Sequence, residues 1–374
     1  MSKVCDRSIV LVTGATGFIG SHLIQQLVAQ DDYRVRAVVR VPISQVPKEL
    51  QFRLCERSEA IQGSVHQTPG LPRLRLAMTE HEGTKAAQND ALQVVETISI
   101  STISATTDWQ QALENCDVII HTAARVHVMK ESAANPLHEF RQVNVEGTLN
   151  LARQAAQQGV KRFIFISSIK VNGEETQLGH VYSPEDSPAP QDAYGISKYE
   201  AEQGLMTLAA ETDMQIVIIR PTLVYGPGVK GNFQRMIRCL HRGFPLPVKS
   251  VRNKRSFVSI DNLVDLIIRC IEHPRAANQV FLVSDDEDLS IVELLQTISK
   301  AMNKPSRLIP VSYWILKNLA KIFGKQAILQ RLCGSLQVDI TKTCDLLDWK
   351  PQVSTDEALR RMFQDVQVVS EPRP

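Results

Sequence analysis

Apolar runs and amphipathic stretches alternate along the first 220 residues of the chain. Residues 8–13 (SIVLVT) form a continuous apolar run, which is typical of a strand buried on both faces. Residues 18–28 then repeat apolar side chains at helical spacing, and residues 34–39 return to strand composition. Further strand-like runs follow at 117–121, 162–167 and 215–220, with helical stretches at 145–158 and 194–210 between them. This order predicts an α/β fold with a doubly wound parallel sheet.

The pattern is interrupted once and later loosens. Roughly sixty residues without clear periodicity separate the strand ending at Val39 from the next strand-like run at 97–103. Because such connections are normally short, we expect an atypical insertion at about residues 43–96. Beyond residue 225, prolines mark loops and amphipathic helices follow from Leu289. We therefore expect a sheet domain at 1–225 and a smaller, mostly helical domain at 226–374.

One of these later stretches is unusually apolar. Residues 313–323 (YWILKNLAKIF) contain two lysines and no acidic residue. Such a helix can lie on a membrane surface or pack on the protein itself. We expect it to pack on the sheet domain.

Composition limits the function classes. Hydrophobic residues make up 43% and charged residues 22% of the 374 residues, and the net charge is +2, so no broad positive field is present to hold nucleic acid. The seven cysteines include no C-x-x-C pair, which argues against a metal or redox centre. With no signal-peptide pattern and no apolar run near the ~20 residues that cross a bilayer, we expect a cytoplasmic protein without an integral membrane segment.

A glycine-rich turn follows the first strand directly. Gly14-Ala-Thr-Gly17-Phe-Ile-Gly20 has the spacing G-x-x-G-x-x-G. Its glycines permit a tight turn, a close approach of backbone amides to a pyrophosphate, and close packing of the helix on the sheet. Between a buried strand and a helix, this triplet predicts a dinucleotide-binding Rossmann domain.

The end of the second strand normally contacts the adenosine ribose. An acidic residue there binds the 2′-hydroxyl of NAD, whereas an arginine accommodates the 2′-phosphate of NADP. Arg40 occupies this position and favours NADP, unless it is only an exposed arginine beside a strand. NAD and NADP therefore both remain open.

Tyr194-Gly-Ile-Ser-Lys198 places a tyrosine and a lysine four residues apart on one helix face. A tyrosine keeps its proton up to a pKa of about 10. A nearby ammonium and a cationic nicotinamide ring favour the tyrosinate, so we expect Lys198 to lower the pKa of Tyr194. Alone this spacing is common on amphipathic helices, but downstream of a dinucleotide loop it indicates acid/base chemistry.

Together these motifs resemble the extended short-chain dehydrogenase/reductases, and within them the NAD-dependent epimerase/dehydratase family of UDP-glucose 4-epimerase-like nucleotide-sugar enzymes. The resemblance covers nearly the whole chain except the insertion, and it implies hydride transfer at a sugar carbon. It implies catalytic roles for Ser168, Tyr194 and Lys198, and substrate contacts from Ser168, Asn232 and Arg255. The implied cofactor contacts are Gly14, Thr16, Gly17, Phe18, Ile19, Gly20, Arg40, Thr122, Ala123, Ala124, Asn144, Tyr194 and Lys198.

The chain also departs from this family's patterns. The family's 4,6-dehydratases carry an Asp-Glu pair after the catalytic serine or threonine, where this chain has Ile169 and Lys170, so we do not expect dehydration. An aspartate that contacts adenine in the family is replaced by Thr102. We therefore expect cofactor affinity to be the property most affected.

Three functions remain open. The first expectation is a 4-epimerase that keeps its NAD and acts on a UDP-hexose or UDP-N-acetylhexosamine, for surface polysaccharide synthesis. The second is an NADPH-dependent 4-ketoreductase of a UDP-4-keto-6-deoxy-N-acetylhexosamine, of the UDP-N-acetylquinovosamine type, which Arg40 favours. The third is a non-catalytic dinucleotide-binding protein, against which the intact Tyr194 and Lys198 argue. The resemblance also implies a possible homodimer through the helices beside Val145 and Tyr194.

Overall fold

The structure is a computed structural model, and it describes residues 7–40, 54–56, 95–126, 135–177, 179–322, 324 and 326–368. Most of the predicted insertion at 43–96 lies outside these residues, as does part of the segment after His121.

An eight-stranded parallel sheet forms the centre of the molecule, with the order β10-β7-β6-β5-β1-β2-β4-β3. Its strands are β1 Ile9–Thr13, β2 Arg34–Val39, β3 Leu54–Glu56, β4 Val95–Ser99, β5 Val118–His121, β6 Arg162–Ile166, β7 Gln215–Pro221 and β10 Gln279–Val283. All neighbouring strands pair in parallel, which confirms the predicted fold class. The strand order reverses at β1, which lies between β2 and β5, and ligands of open α/β sheets bind at such a point.

Helices cover both faces of this sheet. Helix α1 (Phe18–Gln30) and helix α7 (Ile260–Glu272) pack on one face, and α4 (Thr148–Gln157) and α5 (Ala193–Glu211) pack on the other. Alternate residues of β1 enter the two apolar cores, which explains why the strand is apolar at every position. The remaining helices on the way to the sheet's last strand are α2 Gln110–Leu113, α3 Pro136–Arg141 and α6 Gly231–His241.

A π-helical segment at Gln142–Gly147 continues α3 into α4. The helix predicted at 145–158 therefore begins earlier, at Pro136, behind the N-cap Asn135. A Cβ at Gly147 would lie 2.7 Å from Ile103 Cγ2, so the glycine permits the close packing of this turn.

The C-terminal region has its own small sheet and core. Strands β8 (Leu223–Tyr225), β9 (Arg255–Ser259) and β11 (Asp288–Leu289) form a sheet in the order β11-β9-β8. Its helices are α8 Ile291–Ala301, α9 Tyr313–Ile322, α10 Gln326–Cys333, α11 Thr341–Leu347 and α12 Thr355–Val368. Because α7 and β10 return to the large sheet, the region after residue 225 contributes to both parts of the molecule. The division into 1–225 and 226–374 stays a prediction.

The insertion ends earlier than predicted. Strand β4 begins at Val95, which is fully buried, and ends at Ser99, so the strand predicted at 97–103 was misplaced. Its second residue, Glu96, accepts a hydrogen bond of 2.7 Å from the buried Arg36 of β2. Because Glu96 interrupts the apolar run, the hydropathy pattern does not mark the start of this strand. Strand β3 lies within the predicted insertion and pairs with β4.

The apolar helix at 313–323 forms as predicted, over Tyr313–Ile322, but the expected packing on the sheet domain is wrong. Leu316 is buried in the C-terminal core with Phe233 and Leu294. Trp314 and Ile322 remain 72% and 75% exposed. In the described part of the chain, no helix is both long and apolar enough to cross a membrane.

Candidate active site

The glycine loop forms a cradle at the carboxyl end of β1. Gly14 has φ 71°, and a Cβ there would lie 2.7 Å from Thr122 Oγ1 and 2.8 Å from Ala123 N. A Cβ at Gly20 would lie 2.2 Å from the carbonyl oxygen of Gly14. Side chains would thus fill the space through which a pyrophosphate approaches the backbone.

The N-terminus of α1 is suited to the same anion. Gly17 is its N-cap, no side chain caps the helix, and its first turn has no acidic residue. The amides of this turn therefore point to the cradle without a competing side-chain acceptor. The loop and helix fit a dinucleotide, and the cofactor contacts of Gly14, Thr16, Gly17, Phe18, Ile19 and Gly20 stay predictions.

Replacing Gly14 with alanine is expected to weaken dinucleotide binding about tenfold or more, because a left-handed alanine costs ~1–2 kcal/mol and its Cβ displaces the loop. Gly159→Ala is the matched control: Gly159 also has φ 78°, but no heavy atom would lie within 4 Å of its Cβ. Calorimetric titration measures both affinities. Equal losses in the two variants would show that strain alone, and not the cradle, causes the effect.

The segment after β5, residues 122–124, lies against the glycine cradle, and we call it the predicted cofactor wall. Thr122 donates a hydrogen bond of 2.7 Å to the carbonyl oxygen of Thr13, which ties this segment to the end of β1. His121 is fully buried between Thr13 and Thr148, at 2.7 and 3.0 Å, and burial lowers its pKa to about 3. A neutral imidazole therefore supports the wall that carries Thr122, Ala123 and Ala124.

Asn144 holds this wall in place. Its Oδ1 accepts from the amide of Arg125 at 2.8 Å, and its Nδ2 donates to the Arg125 carbonyl and to Ser197 Oγ, each at 3.0 Å. The side chain thus links the predicted cofactor wall to α5, and its cofactor contact remains a prediction. Arg40 is exposed at the end of β2, beside residues that the structure does not describe.

Lys198 lies buried beneath Tyr194 on α5. Its Nζ donates to the carbonyl oxygen of Ile166 at 2.8 Å, and it lies 4.3 Å from the centre of the Phe165 ring and 6.0 Å from that of the Tyr194 ring. Burial lowers the pKa of Lys198 to about 7, although Glu202 acts in the opposite direction. Lys198 therefore gains or loses its proton near neutral pH.

Tyr194 differs from expectation. Burial, and then the carboxylate of Asp192, raise its pKa above that of a free tyrosine. The sequence suggested that the ammonium of Lys198 would lower it, but that ammonium is directed to a backbone carbonyl. The phenol therefore holds its proton in this structure, and lowering its pKa depends on charge brought in by a bound ligand.

Ser168 occupies the end of β6, next to this helix. Its Oγ accepts a 3.3 Å hydrogen bond from the amide of Lys170 and caps a short turn. Its hydroxyl proton remains available to an oxygen of a substrate. The neighbouring Ser167 instead donates to Glu202.

A buried ion pair behind Lys198 was not found from the sequence. Arg220 and Glu202 are 4% and 3% exposed, and they make contacts of 2.5–3.2 Å. Arg220 also donates to Asn172 Oδ1 at 2.9 Å. The available signal was the spacing of Glu202, four residues after Lys198 on the same helix.

Lys170 connects the end of β6 to the start of α5. It forms ion pairs with Asp192 and, at 3.0 Å, with Glu174. Asp192 is the N-cap of α5 and accepts from the amide of Gly195 at 2.7 Å. Lys170 thus helps to place the helix turn that carries Tyr194.

The predicted substrate residues Arg255 and Asn232 lie in the C-terminal region. Arg255 donates to the carbonyl oxygen of Gly334 at 2.9 Å, and burial lowers its pKa against the effect of Glu175. Asn232 is exposed in the first turn of α6. The hydrogen bonds and ion pairs of the described residues do not connect either one directly to Tyr194, so their roles remain predictions.

The two regions meet beside the glycine loop. Gly226, which directly follows β8, has φ 154°, and a Cβ there would lie 2.4 Å from Ile260 Cγ2 and 3.7 Å from the Phe18 ring. A side chain at this position would therefore push the loop after β8 away from the cradle.

Comparisons with known proteins agree with this arrangement. The chain is 44% identical to the UDP-glucose 4-epimerase of Vibrio cholerae over 95% of this chain and 94% of that protein. It is 29% identical to an undecaprenol-linked N-acetylglucosamine 4-epimerase of Escherichia coli O157:H7 over 62% and 72% of the two chains.

The fold also matches a solved structure of UDP-glucuronic acid 4-epimerase from Bacillus cereus with NAD. The TM-score is 0.68 at 21% identity, and the match covers 97% of this chain and 100% of the other. Residues 10–284 match the family model described as the NAD dependent epimerase/dehydratase family. The resemblance predicted from the motifs is confirmed, and the chain belongs to the NAD dependent epimerase/dehydratase family.

Proposed function

We propose that this protein is an NAD-dependent 4-epimerase of a UDP-linked hexose, with UDP-glucose as the first substrate to test. The observation that carries the proposal is the placement of Tyr194, Lys198 and Ser168 at the sheet edge that holds the glycine cradle. The 44% identity to a UDP-glucose 4-epimerase over nearly the full length supports it.

Bound NAD supplies the hydride acceptor and donor for C4 of the sugar. Tyr194 removes the proton of the 4-hydroxyl and later returns it, since it is the phenol whose ring lies 6.0 Å from Lys198 Nζ. Ser168 donates its hydroxyl proton to the reacting oxygen and orients it. Lys198 carries the positive charge that stabilises the tyrosinate, held in place by the carbonyl of Ile166.

The substrate's diphosphate is assigned to Arg255 and Asn232, because a forked guanidinium donor suits a diphosphate. Arg255 is fixed by Gly334, which connects it to the segment that leads into α11. UDP-N-acetylglucosamine is the sugar nucleotide to test beside UDP-glucose.

Proton NMR of UDP-glucose or UDP-N-acetylglucosamine with purified protein and no added cofactor tests the proposal. We expect the 4-epimer to form and Tyr194→Phe to abolish it. Absence of the epimer, with NADPH oxidised when a 4-keto-6-deoxy sugar nucleotide is added, would replace the proposal with a ketoreductase. Arg40, exposed at the ribose position, is the observation that favours this second candidate.

Lys170→Met is expected to shift the acid limb of kcat/KM to higher pH by about one unit. Without this ammonium, the charge of Asp192, which already raises the pKa of Tyr194, is less compensated. Lys170→Arg keeps the charge and is expected to restore the profile. An unchanged acid limb in Lys170→Met would show that Lys170 acts only on the fold.

We also propose a cytoplasmic homodimer that assembles through α4 and α5. The described cysteines, five in number, are all free thiols, which suits a reducing compartment. Analytical ultracentrifugation measures the oligomeric state, and a monomer at micromolar concentration would contradict the dimer.

A further inference from the structure

Helix α9 presents an apolar face to solvent. Trp314 and Ile322 are 72% and 75% exposed, and Ile315 and Leu319 are each 45% exposed. Helical spacing places Ile315, Leu319 and Ile322 on one stripe, with Trp314 beside it. Leu316, on the opposite side of the helix from Trp314, is buried in the C-terminal core. Four large apolar side chains on a ten-residue helix are more than scattered surface residues explain.

Lysines border this apolar stripe. Lys317 and Lys321 are exposed, lie one turn apart, and form no ion pair with any residue that the structure describes. We call Trp314, Ile315, Leu319 and Ile322, together with these two lysines, the α9 face. An apolar stripe flanked by lysines and a tryptophan is the composition of helices that lie in a membrane interface.

The sequence on both sides of α9 carries charge of one sign over a long stretch. From Leu294 to Val338 it contains no aspartate or glutamate. The cations in this stretch are Lys300, Lys304, Arg307, Lys317, Lys321, Lys325 and Arg331. Of these, Lys300 forms an ion pair of 3.5 Å with Asp356. Because the whole chain has a net charge of only +2, this region differs strongly from the rest of the molecule.

We propose that the α9 face docks the protein onto an anionic lipid bilayer. The apolar stripe supplies burial in the interface, and Lys317 and Lys321 match the negative surface potential of anionic lipids. A second copy of the chain fits less well, because a two-fold contact through this face would oppose lysine to lysine without a carboxylate between them. The proposal is independent of the epimerase reaction.

Tryptophan fluorescence gives a specific test. Of the three tryptophans, Trp109 and Trp349 are buried and only Trp314 is exposed, so a change in emission on adding lipid reports on the α9 face. The full-length protein is mixed with vesicles of phosphatidylcholine alone, or with three-tenths phosphatidylglycerol, and sedimented. We expect a blue shift and co-sedimentation with the anionic vesicles, roughly tenfold weaker partition to the neutral ones, and release at high salt.

Variants separate the parts of the face. Trp314→Phe is expected to keep co-sedimentation and lose the blue shift, whereas Leu319→Ser with Ile322→Ser loses both. Lys317→Gln with Lys321→Gln is expected to weaken partition about tenfold. The matched control, Arg275→Gln with Lys350→Gln, removes two exposed cations elsewhere and is expected to bind like the wild type.

Three results would overturn the proposal. The first is no partition of the wild-type protein to anionic vesicles at low salt. The second is an equal loss in the control variant, which would indicate unspecific attraction. The third is a blue shift that follows protein concentration without lipid, which would show that a second copy covers the face. Circular dichroism of each variant confirms that its fold is intact.

Discussion

Substitution of Lys198 by methionine is expected to lower kcat of epimerisation by about 10²- to 10⁴-fold while the protein remains folded. The methionine fills much of the same buried space but provides no charge for the tyrosinate of Tyr194. Glu202 keeps its partner Arg220, so no buried carboxylate is left alone. Initial rates with UDP-glucose and a urea unfolding curve measure the two effects.

The same variant carries a pH signature. The pKa of Lys198 is lowered in the folded protein to about 7, below the value of 10.5 of an ordinary lysine. Between these values the unfolded chain binds the additional proton, so the free energy of unfolding of the wild type rises with pH over this window. The rise is expected to be smaller in Lys198→Met. Equal slopes for the two proteins, or a kcat within tenfold of the wild type, would contradict the assignment.

Breaking the buried pair of Arg220 and Glu202 is expected to lower the free energy of unfolding by about 3–5 kcal/mol. Either Arg220→Met or Glu202→Leu leaves one charge buried without its partner, since both side chains are almost inaccessible to water. The double variant is expected to recover much of the loss, because it removes both charges and fills the space with apolar atoms.

Urea unfolding of the two single variants and the double variant forms a complete cycle. Arg141→Met is the matched control. Arg141 of α3 forms an ion pair with Glu200, which lies on α5 like Glu202, and the two side chains are 45% and 28% exposed. That loss is expected to stay below about 1 kcal/mol. If Arg220→Met and Glu202→Leu lowered the free energy of unfolding no more than Arg141→Met does, the buried pair would contribute no more than a surface ion pair.

The strands of the large sheet could be predicted from hydropathy because both faces are buried. In β1, β5 and β6 every residue is buried and most enter one of the two cores, so predominantly apolar runs mark these strands. Strand β4 was misplaced because it carries Glu96, which the neighbouring Arg36 neutralises. Arg36 and Glu96 lie sixty residues apart in the sequence, so a local hydropathy pattern cannot show that they pair.

The candidate site was predictable where its chemistry depends on spacing. Three glycines after a strand and a lysine four residues after a tyrosine define a cradle and a helix face by local geometry alone. The state of each group was not predictable in this way. The pKa of Tyr194 is raised where the sequence suggested a decrease, because burial outweighs an ammonium that a backbone carbonyl holds.

The alternation of strands and helices, the glycine loop and the spacing of Tyr194 and Lys198 are all evident in the sequence. These depend on residues within one or two turns of each other. Three features became visible only in the folded chain: Glu202 and Arg220 are buried together, Asn144 links Arg125 to Ser197, and α9 exposes its apolar stripe. Each of these features depends on contacts between segments that are far apart in the sequence. Those contacts determine which groups are buried, and the energies of charged and apolar groups depend on that burial.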